Sequence, residues 1–585
     1  MNKFLRKILS VCLAVVLFSS FSGLLSCKKK AVKTVITVGV TAKNFDAMNA
    51  FIEAFNAKSN SAFAEAVVYN TEDEKNYYLS HGKADCDVYT FDYAVSANRY
   101  ASELCSLDRN SFVNKYLVSI VNSMRAEDGH LYSIPSAGYY YTQCYNANKL
   151  AERGLEVPNT FSDLKLLASR LKYSLADREA SSASIGGSES VIFSFMSVAY
   201  PLFLSTVRGA HALKGLTEGT LSISDPEYYA DWQDVFVNLQ VLYTENFYTI
   251  SDMEKTADEG VARFNAGNAY AMQNTVNNGG ATDIYETDGV RYMPFVGEEE
   301  RSACFGARPA FYISASKRVQ QEDALLAASI EFFDYFSTDE GQKILQAEIG
   351  GEEFVSFFKG ATYELSSAYS GLQGKVDEGR LFLIGSFYST FTPCVNEIAA
   401  FLSNEINLEK LFTEVDAKLK EERASIESSI TVVEEELGFD EKTSYSQDTP
   451  LGEFLVSTLA EANFVDCAIV PSSMINCALL KGSLTESQLN CVFKNEPLVY
   501  ARLTAEEFVA IYKEINKDCH PLLSKVRVEG DTLKKENGAP YLASDKIYAL
   551  IPVEYTRLLS DGDALGKQVS SNAVIAEYLK KNFRR

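Results

Sequence analysis

The sequence predicts two α/β lobes that share a cleft, followed by a helical spacer and a separate α+β domain. Strand and helix patterns alternate from residue 34 onward, beginning with the β-branched run T-V-I-T-V-G-V, which is typical of a buried parallel strand. A tyrosine-rich extended run at residues 136–145 passes directly into a helix, a turn and a second helix, as a crossover between two lobes would. A polar run at residues 440–448 precedes a new alternation, so we expect a further domain after it.

The first lobe should place ligand contacts at the end of its third strand. Extended and helical spacing predict a helix at residues 45–55 and strands at residues 34–40, 66–69 and 88–91. Asp92 and Tyr93 directly follow the last of these strands. Ligands of open α/β sheets bind at the carboxyl ends of the strands. Both residues are therefore candidate ligand contacts, the alternative being that they are ordinary loop residues.

Three consecutive tyrosines, Tyr139, Tyr140 and Tyr141, stand in the extended run. Successive side chains of a strand point to opposite faces, so one or two of the three should face the cleft while the other packs inward. A tyrosine offers an apolar face to a sugar ring and a hydroxyl to its rim. We assign Tyr139 and Tyr140 as candidate ligand contacts.

Short motifs around this run occur in an order that is known from one family. Residues 132–135 read Y-S-I-P and precede the aromatic run, and residues 264–272 read F-N-A-G-N-A-Y-A-M. Residues 327–344 and 408–419 look like two later helices of the same pattern. The stretch from residue 33 to residue 420 thus resembles the extracellular solute-binding proteins of ABC importers, in particular the sugar-binding group.

The resemblance implies a two-lobed periplasmic-binding-protein fold and a function without catalysis. The lobes would close about a hinge on a small solute, a carbohydrate in the first place, and the closed monomer would be presented to a membrane permease. It also implies a sugar-stacking aromatic in the region of Trp232, although a lone tryptophan on such a helix is more often part of a core. No cofactor is implied.

Polar residues of the second lobe are further candidates. Asn274 and Asn277 follow the motif at residues 264–272, where a strand should return to the cleft. Amide groups both donate and accept hydrogen bonds, which suits hydroxyl-rich ligands. Arg308 lies just before a predicted strand and is placed to clamp a polar or anionic group; a surface salt bridge is the alternative.

The N-terminus has the pattern of an export signal. Basic residues precede an apolar run at residues 8–25. The end of this segment, L-L-S-C, resembles the lipobox of bacterial lipoproteins, which implies that residues 1–27 form the signal segment and that Cys27 is lipidated. The protein would then be exported and held at the membrane of the cell envelope by its lipid. The alternative is a transmembrane anchor, for which the apolar run is at the short limit.

Composition argues against several partners and chemistries. The net charge is −23, whereas nucleic-acid binding needs a basic footprint, so we predict no nucleic-acid partner. The chain has four histidines, at scattered positions: His81, His130, His211 and His520. They lack the spacing of a metal site or a catalytic motif, and we predict neither a metal nor a catalytic residue.

The cysteines do not indicate a disulfide framework. Of the 11 cysteines, Cys12 and Cys27 belong to the signal segment, which leaves nine. This number is odd and no C-x-x-C spacing occurs. We predict that most of the nine are buried as small apolar side chains.

The region after the lobes is predicted to be helical. Apolar residues recur at near-heptad spacing among Glu and Lys: Leu419, Ile426, Ile430, Val433 and Leu437. This pattern predicts a long amphipathic helix or a short coiled coil. We assign residues 28–415 to the two-lobed domain, 416–448 to the helical spacer and linker, and 449–585 to the last domain.

The last domain carries a second resemblance, to the C-terminal domain of 5′-nucleotidases. Its motifs lie, in the family's order and spacing, at residues 449–455, 466–470, 482–485, 492–495 and 503–506. The resemblance implies a nucleoside site with Phe493 and Tyr555 as stacking aromatics, Asn495 as a polar contact and Asp563 on a closing loop. The chain departs from the family at residues 472–476, where the phosphate-binding arginine is missing, and it lacks the catalytic metallophosphoesterase half.

Three functions are therefore open from the sequence. The first is capture of a carbohydrate for an importer, with the last domain as an accessory. The second is capture of a nucleoside through the last domain, and the third is a nucleotidase-related hydrolase, which the histidine content opposes. The first two differ in whether Phe493 and Tyr555 face each other across an open cleft.

Overall fold

A computed structural model describes residues 33–83, 85–172, 181–276, 289–299, 303–349, 357–359, 375, 378–427, 429–559 and 564–582. Within these residues, the strands of the first 400 positions form two sheets. They are β1 (Thr34–Thr41), β2 (Ala62–Tyr69), β3 (Val88–Phe91), β4 (Ile134–Pro135), β5 (Gly138–Asn146), β6 (Ser182–Ala183), β7 (Ala271–Val276), β8 (Val290–Met293), β9 (Phe305–Pro309), β10 (Tyr312–Ala315) and β11 (Leu381–Leu383).

The helices of this region pack on the two sheets. They are α1 (Phe45–Lys58), α2 (Glu72–Ser80), α3 (Ala94–Arg99), α4 (Val118–Ser123), α5 (Ala147–Glu152), α6 (Phe161–Leu171), α7 (Glu189–Ala199), α8 (Val207–Glu218), α9 (Tyr229–Thr244), α10 (Ala257–Asn265), α11 (Asp323–Phe336), α12 (Asp339–Ile349), α13 (Gly385–Phe391), α14 (Val395–Leu402) and α15 (Leu408–Glu427). In the part of the chain that is described, no helix has the length and apolar character needed to cross a membrane.

The first lobe is built on the sheet with strand order β2-β1-β3-β10-β4. Strands β1, β2 and β3 are parallel, and β10 returns antiparallel beside β3. Ile36, Val38 and Val40, which share one face of β1, are fully buried, whereas Val35 on the other face is 47% exposed. The predicted strand at residues 88–91 is confirmed with the same bounds.

The second lobe is built on the sheet with order β11-β9-β5-β7-β6, with β8 also paired to β5. The predicted passage from strand to helix, turn and helix is confirmed: β5 ends at Asn146, α5 follows, and α6 begins at Phe161. This run lies within the second lobe, so the crossing between the lobes comes before β5 and not along it. The side chain of Thr160 and that of Asp163 form a capping box at the start of α6, which satisfies backbone N–H groups that a helix start leaves free.

Two chain segments cross between the lobes side by side. One joins β4 to β5 and the other joins β9 to β10. They are bonded to each other, since the N–H of Ser136 donates to the carbonyl of Phe311 at 2.9 Å and the N–H of Ala310 donates to that of Ala137 at 3.0 Å. At Gly138 a Cβ atom would lie 2.1 Å from the carbonyl oxygen of Arg308, so only glycine permits this approach.

The last domain contains a five-stranded sheet with helices on it. Its strands are β12 (Ser429–Val433), β13 (Cys467–Pro471), β14 (Gly482–Thr485), β15 (Pro497–Leu503), β16 (Pro521–Leu523), β17 (Val526–Glu529), β18 (Thr532–Lys535), β19 (Ile547–Pro552) and β20 (Ala564–Ser570). Its helices are α16 (Glu441–Ser444), α17 (Pro450–Ala462), α18 (Glu486–Val492), α19 (Ala505–Ile515) and α20 (Ser571–Asn582). The main sheet has the order β16-β13-β19-β15-β20.

The prediction of a helix through residue 437 is wrong. Helix α15 ends at Glu427, and the run S-I-T-V-V that follows forms β12, antiparallel to β14. Ile430 is buried in the apolar core of the last domain. The near-heptad spacing gave a wrong prediction because the β-branched residues in it fit a strand as well as a helix. The pairing of β12 with β14, about 50 positions later in the chain, selects the strand.

The last domain packs against the first lobe. Tyr77, on α2 of the first lobe, is 1% exposed and belongs to the apolar core of the last domain. The N–H of Leu480 donates to its hydroxyl at 2.6 Å. His81 follows α2, and its Nε2 lies 3.1 Å from the carbonyl oxygen of Ser483. We call this contact, with Tyr77, His81, Leu480 and Ser483, the docking interface.

The cysteines are placed as predicted. Eight of the nine cysteines between Cys86 and Cys519 are buried, and Cys519 is partly exposed. Burial raises the pKa of the Cys86 thiol to about 12 and that of the Cys105 thiol to about 11. They therefore serve as small apolar side chains.

Candidate functional site

Six side chains meet where the two lobes touch. They are Tyr93, Tyr139, Tyr141, Glu189, Arg308 and Tyr388, and we call them the interlobe cluster. Tyr93 comes from the first lobe, directly after β3. The other five stand on β5, β9, α7 and α13 of the second lobe. A site of this kind changes when the lobes move apart, because its members are divided between them.

Arg308 is the centre of the cluster. Its guanidinium donates to the hydroxyl of Tyr141 and to the hydroxyl of Tyr93, each at 3.5 Å. The guanidinium carbon lies 5.8 Å from the ring centroid of Tyr93 and 5.8 Å from that of Tyr388. These distances are within the range of cation–π attraction. One cation thus joins the rings of both lobes.

The pairing of β5 with β9 decides which tyrosines reach Arg308. Tyr139 lies directly opposite Arg308, and Tyr140 lies opposite Ala307. Residues opposite each other in an antiparallel pair share a face, so Tyr139 and Tyr141 stand on the Arg308 face. Tyr139 is half-buried, and its hydroxyl donates to the carbonyl of Ile349 at 3.4 Å.

The assignment of Tyr140 to the cleft is wrong, and Tyr141 stands on the Arg308 face instead. Tyr140 is 1% exposed and packs edge-on against Phe305, with ring centroids 5.0 Å apart. Tyr141 is buried on the opposite face, where its hydroxyl donates to Glu189 Oε1 at 3.3 Å. Burial, opposed by Arg308 and aided by Glu189, raises the pKa of Tyr141 to about 12. The sequence predicted that successive tyrosines point to opposite faces of the sheet. Which of them point toward Arg308 depends on the register with β9.

Glu189 is a member of the cluster that the sequence did not indicate. It is the first residue of α7 and is exposed. A carboxylate in the first turn is favoured by the partial positive charge of a helix N-terminus. The only local signal is its place at the end of the Ser/Gly-rich stretch before an apolar helix, and its approach to Tyr141, 48 positions earlier, follows from the tertiary fold.

Asp92 and Tyr93 have different roles. The carboxylate of Asp92 already accepts from Asn44 Nδ2 at 3.2 Å and forms an ion pair with Lys43 at 3.3 Å. The N–H of Asp92 donates to Glu72 Oε1 at 3.4 Å. Asp92 therefore stiffens the end of β3, while Tyr93 is the residue that enters the interlobe cluster.

Trp232 is part of a core and does not face the cleft. It is 0% exposed. Its ring packs edge-on against Phe203 and Phe391, with centroids 5.2 Å and 5.6 Å away. The structure contradicts its assignment as a ligand contact, because a fully enclosed indole has no free face to offer.

Asn274 lies on β7, where it pairs with Thr142 of β5. This places it on the strand next to the tyrosine run, and its contact with a ligand stays a prediction. Asn277, the other amide of this pair, lies outside the described residues.

The described residues of the predicted nucleoside site do not come together in the last domain. Phe493 is fully buried and stacks on Phe454, with centroids 6.3 Å apart. Tyr555 packs against a different apolar cluster, on the other side of the sheet from that of Phe493. The two rings therefore do not face each other across an open cleft, and the assignment of Phe493 as a stacking aromatic is wrong.

The remaining predicted residues of the last domain give no support to a base-binding site. Asn495 is exposed, and its side-chain oxygen accepts from Ser570 Oγ at 2.7 Å. It thereby helps to hold the start of α20. Asp563 lies outside the described residues. Within the residues that the structure describes, no three His, Cys, Asp or Glu side chains are grouped so that they could hold a metal ion.

Comparison with solved structures identifies the fold of the two lobes. A family 1 extracellular solute-binding protein from Bifidobacterium longum subsp. infantis matches with a TM-score of 0.56 and 14% identity, over 66% of this chain and 99% of that protein. The two-lobed part has the fold of the extracellular solute-binding proteins. The match spans nearly the whole of that protein, so the last domain is an addition to the common fold.

Two further solute-binding proteins support the same conclusion. The binding protein MsmE of Bacillus subtilis, in an open conformation, matches with a TM-score of 0.52 and 13% identity, over 68% of this chain and 99% of its own. The bacterial solute receptor AcbH matches with a TM-score of 0.51 and 13% identity, over 68% of this chain and 100% of its own. No protein-family profile matches the chain, and no curated protein sequence matches it.

Proposed function

We propose that this protein is an exported solute-binding protein that captures a carbohydrate between its lobes and delivers it to an ABC importer. The observation that carries the proposal is the interlobe cluster: four tyrosines, an arginine and a glutamate, contributed by both lobes of a solute-binding fold. Tyrosine rings suit the apolar faces of a sugar, and the charged groups suit its hydroxyls.

The similar proteins are consistent with this ligand class. AcbH is described as having an exclusive preference for β-D-galactopyranose. Its identity to this chain is 13%, so it supports a sugar only in general, because specificity in a common fold resides in a few side chains of the cleft.

Lobe closure is the step that the site supports. Tyr93 and the carbonyl of Ile349 belong to the first lobe, whereas Arg308 and Tyr139 belong to the second. A solute held between them would add contacts that exist only in the closed form and would shift the lobes toward closure. The paired segments at residues 136–137 and 310–311 are the hinge in this proposal.

The test is a thermal-shift and calorimetric panel of monosaccharides, oligosaccharides and nucleosides on residues 28–585. A ligand at a hundred times its dissociation constant should stabilise the protein by about 2.7 kcal/mol. Tyr93→Ala should abolish the shift. Tyr548→Ala, which changes a tyrosine 48% exposed on the last domain, is the matched control and should retain it. A shift with nucleosides alone would contradict the proposal.

The lipid anchor at Cys27 is the second part of the proposal. It rests on the L-L-S-C sequence after the apolar run, and residues 1–27 lie outside the described part of the chain. Cells that express the full chain should incorporate labelled palmitate into it, and Cys27→Ser should remove the label. Unchanged labelling of Cys27→Ser would show that the lipid, if any, is attached elsewhere.

A further inference from the structure

Among the described residues Arg308 forms no ion pair with a carboxylate, in contrast to two lysines of the first lobe. Lys43 pairs with Asp92, and Lys75 pairs with Glu72 at 2.5 Å. Among the described residues Arg308 contacts only tyrosines: two hydroxyls at 3.5 Å and two ring faces. Glu189, the nearest acid of the cluster, accepts from Tyr141 instead.

The two hydroxyls do not satisfy the guanidinium. A distance of 3.5 Å is beyond the usual 2.7–3.2 Å of N–H···O bonds, and a guanidinium has five N–H donors in a planar fork. The hydroxyl of Tyr141 is also neutral at physiological pH, since burial raises its pKa to about 12. The half-buried guanidinium thus has unused donors among the described residues, and the carboxylate of Glu189 reaches it only through the hydroxyl of Tyr141.

Such an arrangement suits an acceptor that is brought by the ligand. Charges that leave water are normally paired, and the arginine fork matches a carboxylate or phosphate through two parallel hydrogen bonds. The ring faces of Tyr93 and Tyr388 beside the guanidinium would hold the apolar side of the same ligand. Glu189, exposed nearby, would accept from a hydroxyl and disfavour a second anion.

We propose that the solute is an acidic sugar, whose carboxylate or phosphate group binds Arg308 while its ring lies among the tyrosines of the interlobe cluster. This inference rests on the proposed function, because it names the ligand class of the same site. A site of this kind differs from a neutral-sugar site because it requires one negative charge on the ligand.

Calorimetry on residues 28–585 at pH 7 tests the inference with ligands matched in ring structure. The probes are galactose, galacturonate and galactose 1-phosphate, together with glucose, glucuronate and glucose 6-phosphate. At least one acidic sugar should bind tenfold or more tightly than its neutral counterpart. A preference for the uronates would identify a carboxylate, and a preference for the phosphates would identify a phosphate.

Arg308→Gln should lower the affinity for the acidic sugar to that of the neutral one, and Arg308→Lys should retain part of the preference. Arg318→Gln is the matched control: Arg318 already has a partner, Asp87, at 3.3 Å, and its loss should leave the preference intact. If Arg308→Gln fails to fold, the comparison of acidic and neutral sugars on the unmodified chain still tests whether binding requires a negative charge on the ligand.

The possible outcomes distinguish failure of the acidic-sugar inference from failure of the proposed function. Equal binding of neutral and acidic sugars, or binding of neutral sugars alone, would overturn the acidic-sugar inference and leave the proposed function standing. An equal loss of both ligand types in Arg308→Gln would also overturn it. Absence of binding by every sugar would overturn the proposed function and the inference together.

Discussion

The interlobe cluster and the docking interface both join parts of the chain that are distant in sequence, but they are built in opposite ways. In the cluster, the guanidinium of Arg308 meets two tyrosine hydroxyls at 3.5 Å, and it forms no ion pair with a carboxylate of the described residues. In the docking interface, Tyr77 is 1% exposed and accepts the N–H of Leu480 at 2.6 Å. An apolar core with satisfied polar groups favours a permanent contact, whereas loosely satisfied polar groups favour one that opens and takes a ligand.

The docking interface also lies close to the cluster along one helix. Glu72 at the start of α2 accepts the N–H of Asp92 at 3.4 Å, next to Tyr93. Tyr77 is on the same helix and is buried in the last domain. Helix α18 of the last domain packs against α2 and also against α15, the last helix of the lobes. The last domain is thus attached to the rigid framework on which the cleft is built.

The largest effect is expected from Tyr77→Ala. Loss of a buried aromatic should cost about 3–5 kcal/mol, and the N–H of Leu480 would lose its acceptor. Tyr77→Phe keeps the ring and should cost about 1–3 kcal/mol, because the N–H stays buried and unpaired. Denaturant unfolding followed by circular dichroism measures both. Equal stability of Tyr77→Ala and the unmodified protein would show that the domains are not docked in solution.

Adjacent tyrosines of β5 give the sharpest contrast between core and cleft. Tyr140→Ala should destabilise the protein by about 3–5 kcal/mol, since Tyr140 is enclosed. Tyr139→Ala should destabilise it by less than about 1.5 kcal/mol, and should weaken solute binding, because Tyr139 stands opposite Arg308. Thermal unfolding and calorimetry separate the two effects. The reverse pattern would mean that the register of β5 with β9 differs in solution.

A smaller effect is expected at Gly482, which borders His81 of the docking interface and has a φ of +133°. A Cβ atom there would lie 3.1 Å from Cδ2 of His81. Gly482→Ala should cost about 1–3 kcal/mol through backbone strain. His81→Ala combined with Gly482→Ala would relieve the crowding but not the strain, so the double variant should recover only part of the loss in unfolding measurements. Full recovery would assign the loss to the contact alone.

The smallest effect concerns the rim of the docking interface. Lys83 pairs with Glu436 at 2.9 Å, and both side chains are exposed. Exposed pairs contribute about 0–1 kcal/mol and are screened by salt. A double-mutant cycle with Lys83→Gln and Glu436→Gln should therefore give a coupling energy below about 1 kcal/mol. A coupling several times larger would show that the rim, and not the buried tyrosine, holds the domain.

Local patterns predicted the elements well where the pattern fits only one kind of secondary structure. The strand at residues 88–91 and the helix beginning at Phe161 were predicted correctly, because apolar runs and caps act within a few positions. The same reasoning failed at residues 429–433. There the β-branched residues fit two structures, and only the pairing of β12 with β14 selected one of them.

The candidate site was predicted in part, and for a related reason. Tyr93 was a candidate because it follows a strand, Arg308 because it precedes one, and Tyr139 because the tyrosine run had to expose one of its faces. The structure brings these three together, and their contact with a ligand stays a prediction. Tyr140 and Trp232 were assigned wrongly, since a ring that stacks on a sugar and a ring that fills a core are the same residue type. Glu189 was missed because no local pattern links it to Tyr141.

The sequence by itself determined that the chain forms two α/β lobes and a further domain. The spacing of apolar residues, and the caps and glycines that begin and end the elements, are local properties of the sequence. The tertiary structure alone decided which face of each strand is the cleft and which rings are core. It also decided which carboxylate pairs with which cation. Those choices depend on strand register and on contacts between residues far apart in the chain, where one step of register moves every side chain to the other face.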